Sequence, residues 1–385
     1  MTKRAERMQS IQPFHVMALL ARARELEAQG RSIIHMEIGE PDFVTPQPVI
    51  DAGIRALQDG YTHYTPAVGL QALRERLAEF YLRRYNVNIE PRRIVITPGA
   101  SAALHLIMAL LVNPGDQVLM ADPGYPCNRN FVYLLNGQPL GIPVTAATAY
   151  QPTPQQVREC WTEAVTALLV ASPSNPTGTL LAENSLREFH AIADAQGGSL
   201  IVDEIYHGLV YDEQATTALA VSDDIFVVNS FSKYFGMTGW RLGWLIAPDA
   251  YVADIDKLAQ NLFLAAPTIA QHAALKAFDE ESISILESRC HEFRQRRDYL
   301  LPALRELGFE IAVIPQGAFY LYANCSRFTD DSYSFASRLL EEAGVAITPG
   351  IDFGTHQPET HVRFAYTTSL ENLQEGVQRL REFLC

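Results

Sequence analysis

From Arg93 onward the chain repeats one pattern, a short apolar run followed by a turn and a longer amphipathic stretch. The runs are IVIT (94–97), QVLMAD (117–122), ALLVAS (167–172), SLIVDE (199–204), FVVNSF (226–231) and LGWLIA (242–247). Each is too short for a buried helix and reads as a strand covered on both faces. Strands alternating with helices predict an α/β fold with a mostly parallel central sheet.

The flanking regions read differently. Met17 to Gly30 has helical spacing and stops at a glycine, and IIHMEIGEPDF (33–43) runs as a strand into a turn. Two helical stretches, 46–60 and 70–85, are joined by the aromatic loop YTHYTPAVG (61–69). Beyond Pro267 the pattern predicts one long helical region to Gly308, then strands at EIAVI (310–314) and GAFYLYA (317–323). A helix at SYSFASRLLEEAG, strands at VAITPG and THVRFAY, and a closing helix at LENLQEGVQRLREFL complete the chain. No linker or repeat interrupts it. The expected division is a large domain at 46–267 and a smaller α+β domain built from both ends, 1–45 and 268–385.

At 385 residues there is enough chain for two such units. The formal charge of −14 disfavours general affinity for nucleic acid or an acidic membrane surface. No apolar run reaches membrane-spanning length, and MTKRAERMQSIQPF lacks the apolar core of a signal peptide. The five cysteines are scattered without a Cys-x-x-Cys pair, which argues for reduced thiols in a cytoplasmic protein. The ten histidines show no metal-ligand spacing, and GxGxxG, GxSxG and Walker A motifs are absent.

Polar residues stand at the ends of these apolar runs. DPGYP, SPSNPTG, DE and SFSK end four successive runs, where ligands bind in open α/β sheets. In SFSKYFGMTGWRLG (230–243), Lys233 follows a strand end, and Arg241 lies eight positions on. Such a lysine can form a Schiff base with an aldehyde, and the arginine can hold a phosphate carried by the same molecule. Thr97-Pro98-Gly99-Ala100-Ser101 links a strand to a helix start, suited to a phosphate or simply to a tight turn. Asp203 ends an apolar run, either opposite a buried cation or as a helix cap. Arg363 sits in the apolar VRFAY, where it needs an anion, whether from the protein or from a ligand.

The lysine segment resembles that of class I pyridoxal-phosphate aminotransferases, of fold type I, and the remaining landmarks follow in that family's order. The resemblance implies a Schiff base at Lys233, which also moves a proton, with Asp203 on the cofactor ring nitrogen. It implies Tyr206 and Asn175 on the ring hydroxyl and Tyr125 stacked on the ring. A phosphate cup follows from Gly99, Ala100, Ser101, Ser230 and Arg241, joined by Tyr64 of the partner subunit in a homodimer. Arg363, with Asn175 and the backbone of Gly39, would clamp the substrate α-carboxylate, and the small domain would close over it. Aspartate-preferring relatives carry a lysine at the Ser101 position and hydroxyls near Phe14 and Val16. An apolar or aromatic amino donor with a 2-oxo acid acceptor, glutamate/2-oxoglutarate included as the second pair, is therefore expected, or else a broad donor range with no sharp preference. A carbon–sulfur β-lyase of the same fold is the alternative.

Overall fold

The computed structural model describes residues 4–384. Its centre is a seven-stranded sheet of β2 (Ile94–Thr97), β3 (Gln117–Asp122), β4 (Gln138–Pro143), β5 (Val165–Ala171), β6 (Ser199–Asp203), β7 (Phe226–Ser230) and β8 (Gly243–Ile246). The strand order is β2-β8-β7-β6-β5-β3-β4. Only β8 runs against its neighbours. All other pairings in this sheet are parallel.

The apolar runs are continuous because the sheet has a core on each face. Ile94, Ile96, Leu168, Val170, Leu200, Val202 and Val227 enter one core. The intervening Val95, Ala167, Leu169, Ile201, Phe226 and Val228 enter the other, beneath α4 (Ala100–Leu111) and α8 (Val252–Leu262). Side chains alternate across a strand, so burial on both faces demands apolar residues at every position.

Segments from the two ends of the chain pack together. α1 (His15–Ala28) leads into β1 (Ile34–His35), which pairs in parallel with β10 (Val345–Ala346). A second small sheet has the order β11 (Thr348–Pro349), β12 (His361–Ala365), β9 (Tyr320–Asn324) and is antiparallel. α2 (Gln47–Gln58), α3 (Gln71–Tyr85), α5 (Pro126–Leu134), α6 (Pro154–Cys160), α7 (Glu183–Ala195), α9 (Thr268–Ala274), α10 (Glu280–Leu307), α11 (Ser332–Arg338) and α12 (Leu370–Leu384) complete the helical set.

Three expectations are corrected. EIAVI is not a strand: Glu310 makes one isolated bridge to Asn324. VAITPG is split between two sheets, with Val345 facing Ile34 and Thr348 facing Arg363. The region after Pro267 breaks at Asp279, whose extended backbone (φ −72°, ψ 152°) separates a short turn from the 28-residue α10.

Candidate active site

The four polar strand ends converge. β3, β5, β6 and β7 are consecutive neighbours in the sheet, so Tyr125, Asn175, Asp203 and Lys233 emerge along one edge and line one cavity. The same cavity is lined by Gly39, Ala100, Ser101, Tyr206, Ser230, Arg241 and Arg363, and by Phe14 and Val16 from the N-terminal segment. Tyr64 is not on this wall. It lies in the 61–69 loop with 81% of its surface exposed.

Lys233 lies three residues past the end of β7, and its Nζ donates to the carbonyl of Gly39 at 2.6 Å. Burial pulls its pKa down to about 8, opposed by Glu40 and Asp203 and assisted by Arg363 and Arg241. An amine near neutrality serves as nucleophile or base without a large cost of deprotonation. Gly39 must lack a side chain, because a Cβ there would collide with the Tyr320 hydroxyl. That hydroxyl also hydrogen-bonds Tyr206 at 2.8 Å.

Asp203 is buried, and burial raises its pKa to about 6, while the Ile205 N–H it accepts at 3.0 Å and nearby Lys233 hold it down. The residues after it form turns rather than a helix, so the helix-cap reading fails.

Arg241 adopts a left-handed backbone (φ 53°), which turns its side chain back toward the start of α4. Gly99 also has positive φ, and a Cβ on it would lie 2.8 Å from Arg241 Nη2. The Ser230 hydroxyl sits beside them, 3.0 Å from Ser232 Oγ. A guanidinium, hydroxyls and a helix N-terminus thus share one corner, the donor set a phosphate needs.

Arg363 is 3% exposed on β12. Its Nη1 donates to Asn175 Oδ1 at 3.0 Å, and its Nη2 to the Glu37 carbonyl at 2.6 Å and to Thr348 Oγ1 at 3.1 Å. The rings of Tyr320 (4.2 Å) and Phe353 (5.0 Å) flank the guanidinium. Its Nε has no partner, and among the described residues it has no carboxylate within salt-bridge distance. A buried cation held only by neutral acceptors is poorly compensated, which excludes the salt-bridge reading and favours an anionic ligand. The cavity therefore offers separate places for a phosphate, a ring cation and a carboxylate, and its residues fit a pyridoxal-phosphate-type cofactor with an amino acid.

Sequence reasoning missed Tyr320, Thr348, Glu37 and Phe353, whose roles depend on long-range contacts. Below Arg363, His35 donates to Glu37 Oε1 at 2.7 Å and to Glu27 Oε1 at 3.2 Å, and the Glu37 hydrogen bond leads in raising its pKa to about 9. Because the folded pKa exceeds the unfolded 6.5, this tie is complete below about pH 6.5 and lost as pH rises through 9. His35→Ala should melt a few degrees below the parent at pH 6 and converge with it by pH 10. A gap that does not change with pH would show that the ion pairs contribute nothing.

The seven-stranded sheet and its lysine-bearing edge define a fold type I aminotransferase. The "Aminotransferase class I and II" family profile matches residues 31–380, and the chain belongs to that family. It is 39% identical to a Methanocaldococcus jannaschii (5-formylfuran-3-yl)methyl phosphate transaminase, covering 99% of each chain. It is 37% identical to a Mycobacterium tuberculosis valine–pyruvate aminotransferase, over 100% of this chain and 99% of that one. The solved aspartate aminotransferase of Thermus thermophilus with maleate superposes with a TM-score of 0.94 at 34% identity, covering 99% of this chain and 100% of that one. Among the described residues, no helix is long and apolar enough to cross a membrane.

Proposed function

We propose that this aminotransferase binds pyridoxal 5′-phosphate in the Lys233 cavity and takes its amino group from an L-amino acid with an apolar or aromatic side chain. The observation that carries the donor class is the apolar part of the lining of the cavity that also holds Arg363. Phe14, Val16, Met17 and Leu20 form it, and Ser101 rather than a cation stands at the phosphate loop. Among these four residues of the chain a distal carboxylate would meet no compensating charge, whereas each buried methylene contributes about 0.8 kcal/mol.

The residues divide the work as follows. Gly99, Ala100, Ser101, Ser230 and Arg241 hold the phosphate, joined by Tyr64 of the partner subunit in a homodimer, and the high exposure of Tyr64 in one chain supports that role. Asp203 faces the ring nitrogen, Tyr206 and Asn175 hold the ring hydroxyl, and Tyr125 stacks on the ring. When bound, the cofactor supplies an aldehyde for amine exchange and a ring that accepts the electron pair left at Cα. Lys233 takes the proton from Cα and would deliver it to the cofactor carbon that carries the amine. Arg363 orients the substrate carboxylate, and closure of segments 1–45 and 268–385 over 46–267 excludes water. The setting we propose is the cytoplasm.

Relatives bear names on both sides, since one acts on valine and another on aspartate by name. A donor panel scored by loss of the cofactor's visible band separates them, with valine, leucine, phenylalanine or alanine expected to lead. If aspartate reacts tenfold faster than every apolar donor, the reading of Phe14, Val16 and Ser101 fails. Pyruvate and ammonia released from a cysteine conjugate without a 2-oxo acid would instead indicate β-lyase chemistry.

A further inference from the structure

The first turn of α1 has no cap of its own. Phe14 occupies the N-cap position and offers no side-chain acceptor. Uncapped N–H groups at a helix start need a partner from elsewhere. The partner is Asp352, more than three hundred residues away, which accepts from His15 N through Oδ1 and from Val16 N through Oδ2, both at 2.8 Å. A carboxylate is the best complement to the positive end of a helix.

Asp352 is 2% exposed, an expensive place for a charge unless the geometry repays it. Its surroundings explain the location. The next residue, Phe353, packs its ring 5.0 Å from the Arg363 guanidinium. The Asp352 carbonyl accepts from Arg129 Nη2 at 2.7 Å, fixing the loop to α5, the helix that begins next to Tyr125. The Asp352 loop thus touches the carboxylate clamp, the helix after Tyr125 and the start of α1. The residues it fixes, His15 and Val16, flank or belong to the apolar wall of the cavity.

We propose that Asp352 is a positioning residue that ties the substrate side-chain wall on α1 to the Arg363 clamp and thereby sets selectivity for side-chain size. This rests on the reading of Arg363 and the α1 wall given above. Without the tie, Phe14 and Val16 no longer stand at a fixed distance from the substrate carboxylate. Large apolar donors then lose contacts that alanine never makes.

The test compares Asp352→Ala and Asp352→Asn in the full chain loaded with cofactor, using valine and alanine as donors. In Asp352→Ala, KM for valine should rise about tenfold, as expected for loss of a strong cap, with kcat within about twofold and KM for alanine nearly unchanged. Asn keeps one acceptor and should fall between Ala and the parent. Backbone amide exchange at 15–20 should accelerate in Asp352→Ala, a readout independent of turnover. An unchanged valine-to-alanine KM ratio, unchanged exchange, or an equal fall in kcat for both donors each overturns the proposal. If the parent enzyme transfers no amino group from either donor, the donor reading has failed. The exchange measurement still decides whether Asp352 holds the helix, and unchanged exchange then overturns the tie by itself.

Discussion

Lys233→Ala should abolish amino transfer, lowering kcat by at least about 10²- to 10⁴-fold, the range expected for loss of a positioned acid–base group. Among the titratable side chains lining the cavity, burial moves Tyr206 and Tyr320 away from neutrality, since both phenol pKa values are raised above 10. Asp203, with a pKa raised to about 6, is a weak base at pH 7. Lys233, lowered to about 8, is the group whose proton affinity suits both taking and returning a proton. Lys233→Arg should be equally inactive, because a guanidinium keeps its charge but does not give up its proton. Both variants should remain folded, since the lysine makes one hydrogen bond, to the Gly39 carbonyl. Single-turnover transfer from a saturating amino donor is the measurement. A Lys233→Ala enzyme retaining a tenth of parental turnover would remove Lys233 from the chemistry.

The parts of the molecule legible in the sequence are those where burial conflicts with polarity. Asp203 at the end of SLIV and Arg363 within VRFAY stood out because an apolar run leaves a charge nowhere to go, and both line the cavity. The central strands were legible because two cores impose apolar residues without interruption. β4 is not legible in the sequence, since Pro139, Gly141 and Pro143 argue against a strand; at a sheet edge the N–H groups missing at the two prolines cost little. EIAVI carried strand composition but found a partner only at Glu310. Tyr320 was hidden in GAFYLYA, where any aromatic residue reads as core, and only its approach to Gly39 and Arg363 distinguishes it. Asp352 was beyond local reading altogether, because the helix it caps begins at the other end of the chain.

Asp203→Asn should have opposite effects on the empty and the loaded protein, which separates a cofactor role from a structural one. Without cofactor Asp203 is buried, and desolvation lifts its pKa from 3.8 to about 6. The folded state therefore binds more protons than the unfolded state between those values, and stability falls as pH rises through them. Above about pH 6 the cost is complete, on the order of 2–3 kcal/mol. Asparagine removes that cost and keeps an oxygen to accept from Ile205 N, so the empty variant should melt a few degrees higher than the parent at pH 7.5. In the holoenzyme proposed above the carboxylate would pair with a ring cation, and removing one partner of a buried pair costs about 3–5 kcal/mol. The loaded variant should accordingly gain less stability from the cofactor, and its kcat/KM should fall by about 10²- to 10³-fold. Below pH 6 the parent's own carboxyl becomes protonated, and the difference between the two empty proteins should shrink. Melting curves with and without cofactor at pH 5 and 7.5 read all of these together. A variant less stable than the parent in both states would make Asp203 a structural residue, and one equal to it in turnover would leave the ring nitrogen without its partner.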